Sequence, residues 1–180
     1  MADMKQYLVL IVGLLMAGGF AFGGMASYSS MVNTDTQNQQ NNRKASLPNK
    51  TFVNGSFDLT LNQRARLARQ NDVVFLSAIY NSTEGRKQFK GLQNISENFE
   101  DRAYISVVKA SNSEIVQEFS ITEYPNALGI GYKSLRAGPN GRVRIIPRPV
   151  EGELTSENIA REICNMFNEW GEIDTYCTSL

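Results

Sequence analysis

No histidine occurs anywhere in the 180 residues. That absence removes the Ser-His-Asp and Cys-His arrangements of nucleophilic catalysis, the histidine-containing zinc sites and the simplest switch near neutral pH. Cysteine is nearly as scarce, with only Cys164 and Cys177, too few for a four-thiolate zinc site or an iron–sulfur cluster within one chain. Neither sign of charge is in excess, since 18 basic residues balance 18 acidic ones. No global field therefore draws the chain to nucleic acid or to an acidic membrane surface. No metal, cofactor or nucleic-acid partner is expected. The 42% hydrophobic content, at this length, suffices for one sizeable core with appendages.

Charge is also missing from Tyr7 to Ala26, YLVLIVGLLMAGGFAFGGMA. A helix needs about 20 such residues to cross ~30 Å of hydrocarbon, and a helix apolar all round at an extreme terminus fits poorly as a core helix. Residues 1–6 thus read as a short tail and 7–26 as a transmembrane signal anchor. A cleaved signal peptide is the rival, with Lys5 as a weak basic region and Gly24-Met25-Ala26 as a cleavage site. Gly19 and Gly23 form a G-x-x-x-G pair through which a second helix could approach closely. Short N-terminal tails usually stay inside, so the remainder is expected outside the cytoplasm on a single-pass anchor. From Ser27 to Lys50 bulky apolar residues are nearly absent: SYSSMVNTDTQNQQNNRKASLPNK. This composition cannot bury enough surface to offset the entropy of ordering, and as a flexible tether it would span on the order of 25–30 Å.

Short strands and helices alternate from Thr51 to about 171. Phe52-Val53 opens a strand. Thr60, followed three residues later by Gln63, marks a capping-box start for a helix to about Gln70. Val73 to Ile79 is apolar enough for a strand buried on both faces. A helix from Ser82 to Phe99 places Phe89, Leu92, Ile95 and Phe99 at helical spacing. Arg102 to Lys109 reads as a strand and Ser113 to Ser120 as a short helix capped by Ser113. The chain turns at Pro125 into a strand from Ala127 to Tyr132, and Gly138-Pro139-Asn140-Gly141 leads to RVRIIP, so that these two strands form a hairpin. A helix from Thr155 to Trp170 closes the domain, with Ile159, Ile163, Phe167 and Trp170 on its inner stripe. Residues 172–180 remain as a C-terminal tail.

The order βαβα, a proline turn, then ββα resembles the thioredoxin-like superfamily, with VVFLSAIYNSTE as the strand and active-site turn and EYPNALGI as the cis-proline segment. The resemblance implies an α/β three-layer sandwich around a central mixed sheet, with the Tyr124-Pro125 bond cis. It also implies a departure. Asn81 and Glu84 stand where that family carries the two cysteines of Cys-x-x-C, and thiol–disulfide exchange requires thiolates that neither residue supplies. The turn then reads as a helix start, with Asn81 as N-cap and Glu84 completing a capping box near the positive end of the helix dipole. Catalysis by Glu84 would need Tyr80, Glu123 and Tyr124 to converge on it. Backbone beside the proline pairs with extended peptide in thioredoxin-like proteins, a mode that needs no thiol. Tyr80, Asn81, Glu84, Tyr124 and Pro125 are accordingly a candidate groove for a protein or peptide partner.

Asn49, Asn54, Asn81 and Asn94 each open an acceptor triplet for N-glycosylation, with Asn49 and Asn54, beside the tether, the preferred acceptors. Outside the cytoplasm Cys164 and Cys177 are expected to form a structural disulfide. Lys133, Arg136, Arg142, Arg144 and Arg148 make an acid-free basic run, as suits a hairpin edge protected by charge or a docking patch for phosphates or an acidic partner. The reading that joins these features is a redox-inactive, membrane-tethered binding or assembly module. Two alternatives remain: a pilin-like structural subunit, and a thiol-disulfide oxidoreductase using Cys164 and Cys177.

Overall fold

The computed structural model describes residues 45–138, 143–168 and 175–180. The expected span at 7–26 with Gly19 and Gly23, most of the tether, Arg142 and Trp170 lie outside the described residues. Among the described residues no helix is long and apolar enough to cross a membrane.

The architecture is mixed α/β around a central mixed sheet. Strand β1 (Phe52–Asn54) is followed by helix α1 (Leu61–Asn71), whose N-terminus carries the expected capping box. The Gln63 N–H donates to Thr60 Oγ1 at 3.3 Å and the Thr60 N–H donates to Gln63 Oε1 at 2.9 Å. Strand β2 (Val74–Tyr80) lies between β3 (Ala103–Lys109), which it pairs in parallel, and β4 (Asn126–Ile130), which it pairs antiparallel. With β7 (Arg148–Pro149) at one edge and β1 at the other, the sheet order is β1-β3-β2-β4-β7. The Tyr124-Pro125 peptide bond is cis, as the resemblance implied.

Side chains alternate across the pleat, so β2 feeds both faces. Val74, Leu76 and Ala78 point into a cluster with α3 (Leu92–Asn98) and α5 (Ser156–Met166), while Phe75 and Ile79 meet α1 and α4 (Glu114–Phe119) on the opposite face. The helices thus form the outer layers. On the α1 face Phe75 stacks on Tyr104 at 5.2 Å between centroids, and Phe57 meets both rings edge-on. Burial pushes the Tyr104 phenol above its usual pKa, assisted by the Asp101 carboxylate. Ala45 and Leu47, which lie inside the stretch 27–50 expected to be tether, pack against this aromatic cluster.

Three expectations need correction. The helix expected from Ser82 to Phe99 is two pieces, α2 (Thr83–Lys87) and α3, because Gly91 adopts φ +91 and ends the run. The apolar residues Phe89, Leu92, Ile95 and Phe99 are buried nonetheless. Second, RVRIIP does not pair with the strand after Pro125. Gly131 opens a tight turn over Tyr132–Ser134, where its N–H donates to Ser134 Oγ at 3.1 Å, and the chain leaves the sheet. A separate hairpin forms from β5 (Leu135–Ala137) and β6 (Val143–Ile145), and β7 takes the place beside β4. Third, Ser113 precedes α4 but makes no side-chain cap. The C-terminal stretch also contains a helix, α6 (Thr175–Ser179), and Tyr176 and Leu180 pack on the α3/α5 cluster.

Helix α5 approaches β4 where the strand has no side chains. A β-carbon on Gly131 would come within 2.7 Å of Met166 Cβ and 2.8 Å of the Met166 carbonyl oxygen, whereas one on Gly129 would clash with the thioether end of the same residue and otherwise meet Leu76 Cδ1 at an ordinary 3.7 Å. The backbone obstacle cannot move without shifting α5, but a thioether can rotate. Gly131→Ala is expected to lose about 1–3 kcal/mol of stability by overpacking, and Gly129→Ala less, with urea midpoints giving the comparison. The opposite ranking would show that α5 yields more readily than Met166 rotates.

Candidate functional site

Strand β2 delivers Tyr80 to its C-terminal end, where the chain exits into the Asn81-Ser82 turn and α2. The register of β2 against β4 pairs Ile79 with Asn126, and one further step sets Tyr80 opposite Pro125. A β-carbon built on Gly85 would lie 3.6 Å from Pro125 Cβ and 3.7 Å from Tyr80 Cβ. Tyr80, Gly85 and Pro125 therefore meet, on the α3/α5 side of the sheet. Tyr124 is half-buried and its hydroxyl donates to the Ile121 carbonyl at 2.7 Å. The sheet ladder begins only at Asn126, and among the described residues no other backbone group bonds to the N–H or C=O of Tyr124.

The turn itself differs from the expectation. Ser82, not Asn81, is the N-cap of α2: it has an extended backbone (φ −135, ψ 160) and its Oγ accepts from the Gly85 N–H at 3.1 Å. With Ser82 in that role the residue three places on is Gly85, so no reciprocal side chain can close a capping box. Glu84 is exposed and instead pairs with Lys87 at 2.8 Å. Asn81 is exposed with no cap role. Both cysteines are remote in sequence from this turn and are joined to each other, Cys164 on α5 to Cys177 on α6, and each is under 9% exposed.

Two cations that the sequence did not single out stand at the same strand end. Lys109 is the Cα partner of Tyr80 across the parallel pair, and the Arg86 guanidinium lies 5.8 Å over the Tyr80 ring, within the range of a cation–π contact. Their only advance signal was position, at the end of a strand and in the first turns of a helix. Among the described residues neither has a carboxylate within 4.0 Å.

The basic run is dispersed. Leu135 and Ile145 are cross-strand partners turned toward the core, which leaves their neighbours Arg136, exposed, and Arg144, half-buried, paired on the other face of the hairpin. Arg148 Nε lies 2.8 Å from Glu162 Oε1, an ion pair without hydrogen-bond alignment. Lys133 is half-buried on the preceding turn. Asn49, Asn54, Asn81 and Asn94 are all exposed, but Ser96 of the last triplet is buried and its hydroxyl donates to the Gln93 carbonyl at 2.8 Å. Among the described residues no group of three or more Cys, Asp or Glu could hold a metal ion.

No protein-family model and no curated protein matches the chain. Among solved structures it is similar to full-length ERdj5, at a TM-score of 0.43 and 10% identity over 62% of this chain and 16% of that one. Form II of ERdj5 gives a TM-score of 0.43 with 14% identity over 63% of this chain and 15% of that one. The J-Trx1 fragment of ERdj5 gives 0.39 with 10% identity over 63% and 51%. The chain thus spans under a fifth of the full-length structures and about half of the fragment. The strand order, the mixed parallel and antiparallel pairing and the proline ahead of β4 are consistent with the thioredoxin-like fold that the resemblance implied.

Removing the cap hydroxyl should matter more than removing the exposed amide beside it. Ser82→Ala is expected to lose about 1 kcal/mol and Asn81→Ala much less, as read from urea midpoints, and a larger loss at Asn81 would restore it as the cap. For the disulfide, the 13-residue separation corresponds to about 3 kcal/mol of loop entropy. The Cys164→Ser, Cys177→Ser double variant should show that loss together with increased exposure of Tyr176. An unchanged midpoint would mean that packing alone holds α6.

Proposed function

We propose that this chain is a redox-inactive, thioredoxin-like binding module that holds an extended protein segment at the Tyr80–Pro125 edge, carried on the extracytoplasmic side of a membrane by its N-terminal segment. The observation that carries the reading is the composition of the strand-end turn. Asn81-Ser82-Thr83-Glu84 occupies the helix start beside Pro125, and both cysteine sulfurs are tied up in the buried Cys164–Cys177 bond. Thiol exchange needs an accessible thiolate and a resolving thiol, whereas strand addition needs only open backbone and pockets for alternate side chains. The backbone of Tyr124 is open in that sense, with Pro125 next to it in the chain and Tyr80 close to Pro125. The charge-free stretch Tyr7 to Ala26 and the polar stretch after it support the tether.

Two measurements test the proposal. In an insulin-reduction assay with dithiothreitol the protein should not exceed the blank, and a rate abolished by Cys164→Ser would establish the oxidoreductase alternative. A photo-reactive benzoylphenylalanine replacing Asn81 in native membranes should yield discrete protein adducts that the same probe replacing Gln70 does not. Equal labelling from both positions would overturn the assignment of the binding edge.

A further inference from the structure

We infer that the partner segment presents an acidic side chain to the strand end beside Pro125, received by Arg86 and Lys109. The inference rests on the proposed peptide-holding role of this edge and adds the chemistry of the occupant.

Lys109, Tyr80 and Pro125 lie side by side on three neighbouring segments: Lys109 pairs with Tyr80 in the β2–β3 register, and Pro125 is one residue beyond the Ile79–Asn126 pair of the β2–β4 register. Residues directly opposite one another share a face of the sheet. Val107 and Ala78, two residues back, both point into the α3/α5 cluster, as does Ala127, so Lys109, Tyr80 and Pro125 project to that same side. Helix α2 sits there too, since a β-carbon added to Gly85 would be in van der Waals contact with both Tyr80 and Pro125, and its Arg86 lies over the Tyr80 ring. Neighbouring strands are ~5 Å apart, which puts Lys109 about 5 Å from Tyr80 and about 10 Å from Pro125 across the sheet, on the order of one Debye length at 0.1 M salt.

Neither nearby acid forms an ion pair with Arg86 or Lys109 among the described residues. Glu84 is engaged by Lys87 at 2.8 Å, and Glu123 is exposed on the loop before Tyr124, with no cation within 4.0 Å among the described residues. Arg86 is positioned by the ring, so less of its side-chain freedom is lost when it takes a carboxylate through its fork of N–H donors. A lysine in the same place of the ligand would meet two like charges, which is a basis for discrimination as well as attraction.

The test uses the full-length chain in non-ionic detergent. The probes are fluorescein-labelled peptides of alternating Val and Thr with a central Asp, Asn or Lys, followed by fluorescence polarisation at low salt. The Asp peptide should bind about fivefold more tightly than the Asn peptide, and the Lys peptide most weakly. Arg86→Gln and Lys109→Gln should each shrink the Asp-to-Asn ratio, and Arg136→Gln on the hairpin should leave it unchanged. Equal affinity for all three peptides overturns the inference while the binding role stands. Binding of none by a folded protein overturns both. A ratio lost in Arg136→Gln but kept in the other two variants overturns it in favour of the hairpin.

Discussion

Strand β2 has to be apolar on both faces at once, and the rest of the domain is arranged around that requirement. Six of its seven residues are buried, with Ser77 the only polar one. Ser77 Oγ accepts from the Ser106 hydroxyl at 3.2 Å, and Ser106 lies beside it on β3. A strand in this position leaves no solvent face, so helices must cover both sides. It also has one exit to water at its C-terminal end, and there Tyr80, the α2 cap, Arg86, Lys109 and Pro125 collect.

The other end of the sheet is fastened by polar contacts. Asp72, at φ +48 after α1, accepts from Arg102 Nη2 at 2.8 Å through Oδ2 and from the Asn168 N–H at 2.8 Å through Oδ1. Arg102 also lies 5.0 Å over the Phe167 ring. One carboxylate thereby joins the end of α1, the start of β3 and the end of α5. Close by in the chain, Arg64 is buried on α1 and donates to the Leu59 carbonyl at 3.0 Å, holding the loop from β1. Burial draws its guanidinium below the ordinary pKa while the Glu114 carboxylate opposes that shift.

Elements governed by local chemistry were legible in the sequence. Thr60 and Gln63 announce α1 because both partners of the cap lie within four residues, and β2 declares itself by a run that is apolar but for Ser77. The proline turn was legible through a family likeness, not through any physical signal in its neighbours. What escaped depends on distant parts of the chain. Ser82 displaces Asn81 as cap because the exit path of β2, set by β3 and β4, fixes which residue is extended at the helix start. The hairpin was misassigned because the buried Ser134 hydroxyl, accepting from the Gly131 N–H, diverts the chain before RVRIIP can reach β4. Arg86 and Lys109 are two ordinary surface cations until the register of β2 and β3 puts one beside Tyr80 and the fold of α2 puts the other above it.

The packing of Ala45 and Leu47 gives the domain a polarity. Their cluster contains Val73, Phe75 and Tyr104, at the beginnings of β2 and β3, while Tyr80 and Lys109 are the last residues of the same two strands. From Phe75 to Tyr80 is roughly 16 Å along the strand axis. Ala45 and Leu47 therefore sit at one pole of the sheet, and Tyr80 and Pro125 look out from the other. The first described residues and the Tyr80–Pro125 edge thus lie at opposite ends of the same two strands.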